Sequence, residues 1–197
     1  MTPIFLGGHA GIDFLNTAFE PDGERVETIG DGAALAAWLV EANLMSEPQT
    51  ARLMRRLGPK GADAAAANAR KLREWARTWL ERWRKSPRAD YRAELATLND
   101  YLSKEATSRQ VVHTEDGFRF ETQAQIDTAE ELLALLAATL ASLVTEEDPQ
   151  LLRSCAGPGC TLWFVDRTKA HRRLFCSAAT CGNRAKVAAF RERRQKR

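Results

Sequence analysis

Apolar positions in the first 150 residues recur mostly at helical spacing. Leu72, Trp75, Trp79 and Trp83 stand at i, i+3, i+7 and i+11, which puts them on one face of a long helix from about Ala62 to Arg84. That face predicts core, with a dimer interface as the alternative. Upstream, Asp31 is placed to cap a helix carrying Leu35, Trp38 and Leu39. Ser46 and Pro48 open another helix, which runs to about Leu57 before GPKG (58–61) breaks it. GGHAGIDFLNTAF (7–19) predicts a turn or short strand leading into a helix, and RVETI (25–29) a short strand. SPRAD (86–90) ends the long helix, and helical spacing resumes over 90–106 with Leu95, Leu98 and Leu102. The period then changes. SRQVVHTEDGFRFETQ (108–123) alternates around Asp116-Gly117, a hairpin signal. A last helix is expected from about Thr122 to Thr145, ended by Glu146–Pro149. The pattern predicts a mainly α region with a minor β-hairpin, an α+β domain over 1–150, followed by a small separate module over 151–197.

Composition adds limits. At 44% hydrophobic and 28% charged, the chain has material for a sizeable core. The longest apolar run, LLALLAATLASLV (132–144), is too short to cross a bilayer and has acids at both ends, so no membrane partner is expected. The N-terminus has no basic segment ahead of an apolar one and no cleavage pattern, which predicts a cytoplasmic protein. Charge is split between the two regions. Residues 151–197 hold twelve Lys and Arg against two acids, a formal +10, while the first 150 residues hold 17 bases and 24 acids, or −7. Such asymmetry predicts that one end meets a polyanion.

All four cysteines lie in that basic end, in CAGPGCTLWFVDRTKAHRRLFCSAATCGNR (155–184). The spacing is C-x4-C, fifteen residues, C-x4-C, which suits one tetrahedral zinc ion held by Cys155, Cys160, Cys176 and Cys181. Free structural thiols or two disulfides are the competing readings. A module of this size has little core of its own, and zinc coupled to folding supplies what is missing. LWFVD (162–166) and RRLF (172–175) predict two hairpin strands joined through RTKAH, with His171 exposed in the turn rather than ligating. Ser177 is placed to cap a helix whose first turn contains Cys181. A knuckle, a hairpin and a helix bearing the last ligand describe a small treble-clef-like finger.

Cys181-Gly182-Asn183-Arg184 spells the CGNR motif, and the surrounding FVDRT and RRLFCSAATCGNRAKVAAFRERR resemble the CGNR zinc fingers. DFLNT (13–17) and the helical sequence after it resemble the ABATE domain, which is usually paired with that finger in bacterial transcription regulators assigned to stress responses. The resemblance implies zinc on the four cysteines and DNA binding by the finger.

The finger's helix offers two faces. Val187 and Phe190 share one side and are expected to pack on the hairpin. Arg184, Ala188, Arg191 and Gln195 share another, slim enough to approach a major groove. Lys186 and Arg193 flank the apolar side within reach of phosphates, and Arg194 and Lys196 add charge. Arg184 has a competing structural role beside the cysteine loop, and so has Asn183. Double-stranded DNA is the expected partner. An RNA-associated or protein-interaction module, in which zinc only shapes a surface, is the alternative. In the N-terminal region His9, Asp13 and Asn16 fall at i, i+4 and i+7. They predict either a small-ligand pocket or capping and buried hydrogen bonds. No nucleophile motif or phosphate loop appears, so no enzyme is expected. A homodimer would suit a palindromic operator.

Overall fold

The computed structural model describes residues 4–21 and 23–195. Its elements in order are α1 (Ala10–Leu15), β1 (Ala18–Phe19), β2 (Val26–Glu27), α2 (Gly32–Glu41), α3 (Glu47–Lys85), α4 (Arg92–Leu102), β3 (Thr107–Thr114), β4 (Gly117–Ala124), α5 (Ala129–Glu146), β5 (Leu152–Ser154), β6 (Trp163–Val165) and α6 (Asn183–Gln195). The three sheets are two-stranded antiparallel pairs, β1 with β2, β3 with β4 and β5 with β6. The α+β expectation holds.

Helix starts follow local chemistry. Asp31 accepts a hydrogen bond from the Ala34 amide and caps α2. Thr128 and Glu131 form a reciprocal capping box at α5. That box sets the start of α5 seven residues after Thr122, where the helix was expected to begin. Thr122 instead pairs with Arg109 in the β3–β4 ribbon. α3 consists of two helical segments joined at Gly58, whose φ of 65° and ψ of 172° leave the helical region, so the GPKG break survives as a kink. The β3–β4 turn is centred on Glu115 and Asp116, because Thr114 pairs with Gly117.

The core lies between α3 and α5. Ala65, Ala66, Ala69, Leu72, Ala76 and Leu80 of α3 meet Leu132, Leu136, Leu140 and Leu143 of α5, all within 1% of full burial. Small residues on α3 let α5 approach closely. Phe14 of α1 and Trp38 of α2 close the same core, their rings 5.8 Å apart. Trp79 is buried within it, and Trp75 and Trp83 pack against its edge, so the tryptophan stripe is core. One charge is buried there. Arg73, 1% exposed, makes a two-point pair with Glu27 at 2.8 and 2.6 Å and also reaches Glu74 and Thr17.

The same core extends across residue 150. Leu152, Trp163 and Val165 belong to the apolar cluster of the helical body. No described helix is long and apolar enough to cross a membrane.

Candidate metal centre and its seam with the helical body

β5 and β6 carry the first two cysteines on the loop between them. Cys155 directly follows β5, and two residues separate Cys160 from β6. This corrects the expected hairpin, since β6 pairs with 152–154 rather than with RRLF. The reason lies in Asp166, whose side chain is fully buried and accepts hydrogen bonds from the Thr168 amide at 3.0 Å, the Thr168 hydroxyl at 2.6 Å and the Arg173 amide at 2.8 Å. One carboxylate therefore gathers 166–173 into a loop, with exposed His171 at φ 48°. The Ala156 amide meets the Leu174 carbonyl at 2.8 Å, which brings Cys176 under the knuckle. Ser177 then caps a five-residue π turn, Ala178–Gly182, which carries Cys181 and runs into α6.

The four Sγ atoms lie within 4.8 Å of one another. Cys160 and Cys176 are 3.9 Å apart and Cys176 and Cys181 3.5 Å apart. A tetrahedral zinc with bonds of about 2.3 Å separates its sulfurs by about 3.8 Å, so the set fits. A disulfide requires about 2.05 Å, and all four thiols are free. Burial pushes the Cys160 thiol up to about 11, helped by its neighbours, and raises Cys176 further in the same way. Four crowded thiols ionise together only around a cation. Three donors already point at the sulfurs. The Gly157 and Cys176 amides approach Cys155 Sγ at 3.4 and 3.3 Å, and Arg184 Nη2 approaches Cys181 Sγ at 3.2 Å. Burial works against the Cys181 thiolate, but the Arg184 bond and the neighbouring thiols bring its pKa below the ordinary value. A Cβ at Gly157 would stand 3.1 Å from Cys181 Sγ, so the knuckle closes tightly on the ligands there. The residues fit one structural zinc ion, which neutralises thiolate charge and fixes the loops.

Arg184 thus braces the last cysteine. Lys186, Arg191, Arg193 and Arg194 are exposed along α6, and Lys196 lies outside the described residues. Val187 and Phe190 do not pack on the hairpin as expected, being 42% and 55% exposed. α6 packs chiefly on the π turn that carries Cys181, while β6 lies against α1 of the body.

His9, Asp13 and Asn16 all make hydrogen bonds in and around α1, where the finger meets the body. His9 Nδ1 caps α1 through the Gly11 amide, and Asp13 Oδ1 accepts from the Gly7 amide at 2.8 Å. Burial raises the Asp13 carboxyl to about 6 despite that bond. Asn16, 1% exposed, clasps the Trp163 backbone. It donates to the carbonyl at 2.8 Å and accepts from the amide at 2.9 Å. The Val165 amide bonds to the Gly7 carbonyl at 2.8 Å. Arg77 and Arg84 lie against the Trp163 ring, 5.6 and 5.5 Å from its centre. Sequence reasoning missed this clasp, because nothing local links Asn16 to a residue 147 positions away.

Fold and site define a helical domain with a four-cysteine zinc finger docked on it. The ABATE family, described as "Putative stress-induced transcription regulator", matches residues 8–147, and the CGNR zinc finger matches 152–194. The chain belongs to the ABATE family and carries a CGNR zinc finger at its C-terminal side. No curated protein matches it.

Proposed function

We propose that the chain is a transcription regulator that binds duplex DNA through its zinc finger and acts by binding rather than by catalysis. The observation that carries this reading is α6, a helix anchored at one end beside the zinc ligands and exposed along its length with Lys186, Arg191, Arg193 and Arg194. An exposed cationic helix on a rigid base suits groove entry and phosphate contact. The finger's +10 against −7 for the rest orients the chain, because a polyanion is drawn to one end and repelled by the other. The apolar patch of Val187 and Phe190 on the same helix suits contact with thymine methyl groups.

The helical domain serves assembly in this reading. A ligand-sensing role for His9, Asp13 and Asn16 is less favoured, because each of the three is engaged in a structural hydrogen bond. Free thiols gathered for a metal fit a reducing compartment such as the cytoplasm.

The test is the salt dependence of DNA affinity in the full chain. Removing residues 151–197 is a poor control, because it takes Leu152, Trp163 and Val165 out of the main core. Point variants are clean. Lys186→Ala, Arg191→Ala and Arg193→Ala are each expected to lower the slope of log K against log salt by about one, with zinc content unchanged. Three unchanged slopes would overturn the assignment. Tighter binding to single-stranded RNA than to duplex DNA at equal salt would favour the RNA-associated alternative.

A further inference from the structure

The β3–β4 ribbon has no part in the finger or the seam. It stands out from the body, and none of its sixteen strand residues is buried. Its pairing register sorts the side chains onto two faces. Ser108, Gln110, Val112, Arg119, Glu121 and Gln123 occupy one, which is polar but for the half-buried Val112. Arg109, Val111, His113, Phe118, Phe120 and Thr122 occupy the other, as the cross-strand pairs Arg109–Thr122, Val111–Phe120 and His113–Phe118. On this second face Phe118 is 80% exposed, Phe120 67% and Val111 59%. A two-stranded ribbon alone is marginal in water, and two open phenylalanines add nothing to its solubility.

Charge narrows what covers this face. The ribbon holds Glu115, Asp116 and Glu121 against Arg109 and Arg119, so a nucleic acid or an anionic bilayer gains nothing from it. The face is instead complementary to itself. From tip to base it runs from acids at Glu115 and Asp116, through His113 and Phe118, then Val111 and Phe120, to Arg109. A two-fold axis through the Val111–Phe120 pair turns each tip toward the other copy's base. His113 then lies opposite the partner subunit's Arg109 and Phe118 opposite the partner subunit's Thr122, and the tip acids approach that guanidinium. Arg109 already sits over the Phe120 ring at 4.5 Å, so its plane is presented to an aromatic face.

We propose that this apolar ribbon face is a self-association surface at which a second copy of the chain packs antiparallel, ribbon on ribbon. The four phenylalanines contribute about 600 Å² between the two copies, at roughly 150 Å² each. A stable interface buries about 1,200–2,000 Å² in total, so the pairing is a weak dimer unless the rest of the ribbon and its base join it. It deepens the assembly role proposed for the helical domain, and its test contains no DNA, so the two readings fail separately.

The measurement is sedimentation velocity of the zinc-loaded full chain from about 1 to 200 µM, on four proteins. The expected result is a concentration-dependent dimer for the natural chain, with a dissociation constant raised at least tenfold by Phe120→Asp. Gln123→Asp, three residues away on the opposite face, leaves it unchanged. Arg109→Glu weakens it because it sets like charges against the partner's tip. Far-UV circular dichroism and zinc stoichiometry confirm that each variant is folded. A monomer throughout the range overturns the proposal, and the face then belongs to a different partner. A dimer equally indifferent to Phe120→Asp and Gln123→Asp overturns it as well, by placing the interface elsewhere.

Discussion

In the helical body, more than two dozen buried residues, most of them on five helices, share one core, and side-chain packing decides where each helix lies. The distal part of the finger has a second, much smaller cluster. Its buried members are Phe19, Cys155, Leu162, Phe164, Cys176 and Cys181, so half of them are zinc ligands. The first region is held by buried area, the second by four sulfurs and whatever they hold. The boundary between these regimes does not fall at residue 150. β5 and β6 lie with the body through Leu152, Trp163 and Val165, while the knuckle and the π turn gather around the four cysteines and α6 follows the last of them. A family boundary in sequence is therefore not a mechanical boundary in the fold.

Chelation breaks the comparison most directly. Zinc on such a site is worth about 10–16 kcal/mol of apparent binding free energy. Its removal is expected to release amide protection in 155–160 and 176–195 while α3 and α5 stay protected, which hydrogen exchange reads segment by segment. Loss of both regions together would show that the body also needs the metal. Within the body, Arg73→Met leaves Glu27 without its two-point partner and is expected to cost about 4 kcal/mol in urea unfolding, with zinc stoichiometry unchanged. Asn16→Ala tests the seam. It leaves the buried Trp163 amide and carbonyl without partners, at about 3 kcal/mol, and exchange in β6 is expected to quicken before that in α5.

Smaller effects sharpen the picture. Arg184→Ala removes the donor to Cys181 Sγ and is expected to weaken zinc 10- to 100-fold in a competition titration, leaving body stability untouched. Asp13→Asn tests the buried carboxyl. Because its folded pKa is raised from 3.8 to about 6, its stabilising contribution is full below about pH 4 and is lost as pH rises through 6. The asparagine variant is therefore expected to gain roughly 1 kcal/mol over the natural chain at pH 7.5, after allowance for partial solvation, and to lose that advantage near pH 4. An advantage independent of pH would place the effect elsewhere.

Much of this was legible in the residues because the signals were local. Asp31 capped as its type and position indicate, the Gly58 break held, and the tryptophan stripe was core, since a 3.6 period fixes which face must hide. The four ligands were legible for a similar reason, because thiol spacing on short loops constrains where sulfur can point. The misplaced strand had a different cause. RRLF has strand composition, yet the Asp166 carboxylate collects donors from 168 and 173 and prevents it from pairing. Val187 and Phe190 have the spacing of a packed face, but periodicity cannot say whether a wall stands opposite.

Local signals were thus enough for the ligand set, most of the helices and the cationic end, because each is written in short-range spacing. That Asn16 grips Trp163, that β6 completes the body's core, and that α6 and the ribbon stay exposed emerged with the assembled fold. Those outcomes depend on which surfaces meet across more than a hundred residues. Such meetings are set by the competition of all buried faces at once, which no single segment encodes.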